Sequence, residues 1–175
     1  MIDCGDNEEI IHWLQENSKT LSGIFITHSH FDHIYGLNIL KKTYPQMKVY
    51  SSTNGVKGLY SSKLNMSHYH QEIEDFIYEY NDIIEVQDMN KINLWPDVEL
   101  EVMSTPGHDW SCLTYKVSDY LFTGDSYIPG TKVTTNFPKS NKEEAAASLE
   151  KILFLTGQEN LTICSGHYTN VASIL

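Results

Sequence analysis

Thr27-His28-Ser29-His30-Phe31-Asp32-His33 packs three imidazoles and a carboxylate into six positions, directly after the apolar run Gly23-Ile24-Phe25-Ile26. A chain of this composition would produce an H-x-H-x-D-H run by chance roughly once in a thousand sequences. Side chains alternate along a strand, so His28 and His30 share a face where the apolar run ends. Asp32 and His33 fall in the turn beyond and reach the same region from another side. Imidazole nitrogens with carboxylate oxygens are a ligand set that suits zinc, and less exclusively iron or manganese.

Three further stretches have the same form, an apolar run ending on a glycine and a polar donor. Leu100 to Thr105 leads into Pro106-Gly107-His108, Tyr120-Leu121-Phe122-Thr123 into Gly124-Asp125, and Leu161 to Ser165 into Gly166-His167. A glycine at each point permits a tight turn and leaves room beside the backbone. With the first cluster these give five histidines and two aspartates, enough for two divalent ions.

In this order, H-x-H-x-D-H followed by P-G-H, G-D and G-H, the chain resembles the metallo-β-lactamase-fold hydrolase superfamily. Ile2-Asp3-Cys4-Gly5 is similar to the I-D-x-G strand end that opens the family pattern. The resemblance implies an α+β chain folded as an αββα four-layer sandwich, here without the usual N-terminal hairpin. It also implies that His28, His30 and His108 hold a first metal, that Asp32, His33 and His167 hold a second, and that Asp125 bridges them. Asp3 resembles the family carboxylate that orients a ligand histidine through its other ring nitrogen.

Composition adds constraints. A chain of 175 residues is expected to form one domain, spanning residues 1–175, with a real core. The net charge is −11, and all 12 basic residues are lysine. Nucleic acid is bound through basic surface and counterion release, so this balance argues against nucleic-acid partners and for a small-molecule substrate. No apolar run approaches a membrane span, and no signal-like segment opens the chain, so a cytoplasmic location is expected. Cys4, Cys112 and Cys164 lack CxxC spacing and read as reduced, buried residues.

Asp6-Asn7-Glu8-Glu9 resembles a capping box ahead of a helix with Ile10, Ile11, Trp13 and Leu14 on its apolar side. A helix bearing Ile34, Leu37 and Leu40 should stop before Pro45. Ile73, Phe76, Ile77 and Tyr80 predict a helix over 67–80. Strands are expected at Lys48–Tyr50, Ile83–Val86, Ile92–Leu94, Val98–Met103, Leu113–Val117 and Tyr120–Thr123. Ser140 with Glu143 predicts a second capping box, before a helix carrying Leu149, Ile152 and Leu153. Without the hairpin one sheet would expose an unpaired edge, which a homodimer contact could cover.

The ligand set implies hydrolysis by a metal-activated hydroxide attacking an acyl bond, with Asp32 as the catalytic residue that orients the water or carries a proton. The short domain is similar to the glyoxalase II-like branch, whose members cleave hydroxyacyl thioesters. Lys132 lies where that branch keeps a lysine for the substrate carboxylate, and Tyr127 and Tyr168 flank the metal loops. The branch's glutathione-binding helical domain is not expected in the few residues after His167, and no arginine is present to replace it. Lactonase activity is the alternative within the same fold. β-Lactamase activity is disfavoured, because those enzymes lack the bridging aspartate. A non-catalytic metal-binding module is the alternative outside enzymology, and the open N/O ligand set argues against it. His68 and His70 form a further H-x-H pair, read as exposed or mouth-lining rather than ligating.

Overall fold

The computed structural model describes residues 1–167, which divide into one unit from Met1 to Val86 and a second beginning at Gln87. In the first unit Glu8–Glu16 forms α1, whose first free N–H, that of Glu8, is taken by the Asp6 carboxylate at 3.2 Å. Asn7, the residue at the cap position, makes no side-chain bond there. Leu14 is the buried residue of this helix, with Ile10 and Ile11 packed alongside, while Trp13 turns outward.

The apolar run before the histidines becomes β1 (Gly23–Phe25). It is followed by α2 (Phe31–Ile34), α3 (Leu37–Thr43), β2 (Lys48–Ser51), α4 (Thr53–Leu59) and β3 (Ile83–Glu85). The three strands form a parallel sheet in the order β1-β2-β3, with Ile24 opposite Val49 and Val49 opposite Ile83. Parallel neighbours need long crossovers, and the helices supply them. Ile24, Ile26, Ile34, Leu37, Leu40, Val49 and Leu59 are wholly inaccessible to solvent and form the core. Each contributes about 1.5–3 kcal/mol by leaving water. Residues 1–3 run alongside β1, since Phe25 N donates to Met1 O and Asp3 N to Phe25 O, each at 3.0 Å. That edge of β1 is therefore partly covered by the chain's own first residues.

The helix expected over 67–80 does not form. The segment 67–80 holds only a 3₁₀ turn at Ser67–Tyr69. Beyond it the chain is irregular, and Phe76 and Tyr78 are buried while Ile77 and Glu79 face out. Its backbone is claimed by distant partners. Phe76 N donates to Ser67 Oγ and Tyr78 N to Leu59 O, while the Asn38 amide clamps Ile77 O and Glu79 N. Helix α4 had no counterpart among the expected elements, since Gly55 and Gly58 argue against a helix. The Ser52 hydroxyl caps it, and at Gly58 a Cβ would stand 2.0 Å from Ser29 Oγ.

The second unit is a five-stranded sheet of β4 (Lys91–Trp95), β5 (Val98–Ser104), β6 (Leu113–Val117), β7 (Tyr120–Gly124) and β8 (Thr162–Ser165), ordered as numbered. The first four run antiparallel; β8 joins β7 in parallel after the crossover helix α5 (Lys142–Gln158). The cap of α5 is Asn141, which accepts from Glu143 N and Glu144 N, and not Ser140. Ser140 has a different partner, the carbonyl of His108. No helix among the described residues is long and apolar enough to cross a membrane.

Candidate metal centre

In the first unit β1 ends at Phe25, so His28 and His30 lie on the irregular segment after it rather than on the strand itself. They still converge, with ring centroids 4.7 Å apart. His30 occupies the cap position of α2, which carries Asp32 and His33 in its first turn. The His33 ring lies 4.0 Å from that of His28, and its Nε2 is 3.9 Å from Asp32 Oδ2. His28, His30 and His33 are each at most 5% exposed, whereas Asp32 reaches the surface. Gly5 accounts for part of the I-D-x-G pattern. A Cβ there would stand 1.9 Å from the Asp32 carbonyl, so only glycine lets the first residues pass behind α2.

Asp3 sits at φ 52°, a left-handed conformation that aspartate tolerates better than most residues. From there its carboxylate accepts three hydrogen bonds: Thr27 N at 2.7 Å, Thr27 Oγ1 at 2.7 Å and His33 Nδ1 at 2.8 Å. Thr27 Oγ1 is also 3.2 Å from His28 Nδ1.

In the second unit His108 follows the turn after β5. Gly107 at φ +133° is required there, since a Cβ would come within 2.2 Å of the Ala145 backbone. Asp125 leaves the end of β7, and His167 follows the neighbouring parallel strand β8. Gly166 N donates to Gly124 O at 2.9 Å and draws the two strand ends together. Asp125 Oδ2 then lies 3.5 Å from His108 Nε2 and 3.4 Å from His167 Nε2. These separations exceed the about 2.7–3.2 Å of an N–H···O bond. Ligands held tetrahedrally about 2.1 Å from a zinc ion stand about 3.4 Å apart, so each histidine–Asp125 pair has the spacing of two ligands of one divalent cation. His108 Nδ1 donates to the Thr134 carbonyl at 2.9 Å, and Phe137 abuts the same ring edge-on.

Beside this half lies a pocket of ≈ 390 Å³ lined among others by Tyr127, Lys132, Val133, Lys142, Ala145 and Leu149. Lys139, a second cation near these loops, instead stacks its Nζ 4.4 Å over Trp110. Lys142 was not anticipated as a lining residue. Tyr168 lies outside the described residues. His68 pairs with Asp75 at 3.0 Å and His70 packs on Phe31. Burial pushes the Cys4 and Cys112 thiols up, as expected of small residues enclosed in a core.

The model of the metallo-β-lactamase superfamily matches residues 1–167. The chain belongs to that superfamily. A "probable metallo-hydrolase" of Bacillus subtilis is 30% identical over 93% of this chain and 76% of its own length. A hydroxyacylglutathione hydrolase of Hydrogenovibrio crunogenus is 25% identical over 97% of this chain, which spans only 53% of that relative. Among solved structures, the BLEG-1 B3 metallo-β-lactamase superposes with a TM-score of 0.86 at 26% identity, covering 96% of this chain and 80% of that one. The fold is therefore the metallo-β-lactamase fold, whose family binds divalent metals, and each unit offers His and Asp donors that could help to hold one.

Proposed function

We propose that residues 1–175 act as one domain, a dinuclear metal-dependent hydrolase of small acyl thioesters or esters. The observation that carries this reading is the Asp125 carboxylate placed between His108 and His167 at 3.5 and 3.4 Å. A single-metal site would not need His167 there. In this reading His28, His30 and His108 hold one ion, Asp32, His33 and His167 the other, and Asp125 serves both. Two such ions, zinc in the first instance and iron or manganese otherwise, supply Lewis acidity and a water of lowered pKa. Asp32 is exposed enough to exchange protons with solvent while close to His33, which suits a group that orients the attacking water and protonates the leaving group. No serine or cysteine nucleophile is required.

Tyr127 and Lys132 line the pocket of the second unit, and Tyr168 follows His167. With Lys142 they favour a substrate carrying a carboxylate near its acyl group. Lysine is a point charge without arginine's bidentate fork, so glutathione should be held weakly. β-Lactam hydrolysis is the second reading, favoured by the likeness to BLEG-1. A panel of thioesters, lactones, phosphodiesters and a cephalosporin, run with the metal-loaded full chain and with chelator, separates them. Chelator-sensitive thioester turnover is expected; turnover of the cephalosporin alone would select the second reading, and turnover of nothing would favour a non-catalytic module. A homodimer covering an exposed sheet edge completes the proposal, and sedimentation of the full chain decides it.

A further inference from the structure

Counting protons through the first unit assigns a role to a residue that touches no proposed ion. The Asp3 carboxylate can only accept, so His33 Nδ1, 2.8 Å away, carries a proton and its Nε2 keeps the lone pair that a metal needs. The single proton of Thr27 Oγ1 goes the same way, to Asp3 Oδ2 at 2.7 Å. With its proton committed, the Thr27 oxygen can only accept from His28 Nδ1 at 3.2 Å. That fixes His28, like His33, with the lone pair on Nε2. The Thr27 N–H, on Asp3 Oδ1 at 2.7 Å, prevents the carboxylate from turning away.

We propose that Thr27 is a positioning residue that relays Asp3 to His28, so that one carboxylate sets the tautomer of a ligand in each of the two metal positions. This rests on the dinuclear reading above for the ligand roles, but the relay itself is a property of four residues of one unit. Three substitutions separate it from simple packing. Thr27→Val keeps shape and backbone N–H but removes the acceptor, and so should free His28 alone. Thr27→Ser restores the hydroxyl and should restore the wild-type behaviour. Asp3→Asn keeps volume and tolerates the same left-handed backbone. Its carbonyl oxygen must face the fixed Thr27 N–H, which turns the amide NH₂ toward Thr27 Oγ1 and His33 Nδ1. The hydroxyl then donates to His28, and both imidazoles are driven to the tautomer that blocks Nε2.

The test is stepwise zinc affinity of the full chain by chelator competition, with ¹⁵N chemical shifts of the imidazoles in the zinc-stripped chain. Thr27→Val should weaken one of two zinc steps by on the order of 10–100-fold and shift only the His28 nitrogens. Asp3→Asn should weaken both steps and shift both rings. An unchanged His28 tautomer in Thr27→Val, or equal loss at both steps there, overturns the relay. The shifts decide this whatever the metal count; a wild-type chain that binds a single zinc would instead count against the dinuclear reading.

Discussion

The two halves of the proposed ligand set are held in opposite ways. His28 and His33 are almost wholly buried and tied, directly or through Thr27, to the one carboxylate of Asp3. His108 is held by a backbone carbonyl, that of Thr134, and His167 has a half-exposed side chain. A side-chain carboxylate can be deleted by a single substitution; a carbonyl cannot. The first half is therefore fragile at one residue, and the second depends on the path of a loop. The loop of 131–135 also lines the pocket, so in this half the proposed substrate contacts and the support of His108 share one stretch of chain.

The largest effect should come from the residue proposed to serve both ions. Asp125→Ala should abolish detectable turnover and retain less of both metals, measured by elemental analysis beside a thioester assay. Near-normal turnover would remove the bridging role. Next, Asp3→Ala should cost about 10–100-fold in metal affinity or activity, whereas Thr134→Ala, which leaves the carbonyl, should cost almost nothing. Equal losses for the pair would erase the contrast between the halves. Gly5→Ala forces a Cβ against the Asp32 carbonyl and should destabilise the fold by about 1–3 kcal/mol, read by urea unfolding. Unchanged stability would mean that the first residues do not need that close approach. The smallest effect belongs to Lys132, an exposed cation. Exposed charge pairs contribute about 0.2–1 kcal/mol, so Lys132→Ala should raise KM for anionic substrates by no more than roughly fivefold and leave metal content alone. A constant KM would make it an ordinary surface lysine.

The donors proposed as ligands stood out because metal chemistry demands particular side chains, and each sits after an apolar run that the fold turns into a strand or its extension. The groups that hold them were legible only in part. Asp3 stood in a recognisable pattern, but Thr134 contributes a carbonyl, which every residue carries and no sequence marks. Ser140 read as a helix cap because it stands three residues before Glu143, yet Asn141 takes that position and frees Ser140 for the His108 carbonyl. The segment at 67–80 failed for a related reason. Its apolar spacing fits a helix, but Ser67, Leu59 and Asn38 claim its backbone from places that local periodicity does not report.

Metal stoichiometry tests the central claim most directly. Elemental analysis of the purified full chain, reconstituted with excess zinc and freed of loosely bound ions, should return two metals per chain, falling when Asp125 is replaced by alanine. One metal or none in the unmodified chain would contradict the dinuclear centre and leave His33, Asp125 and His167 in need of another explanation.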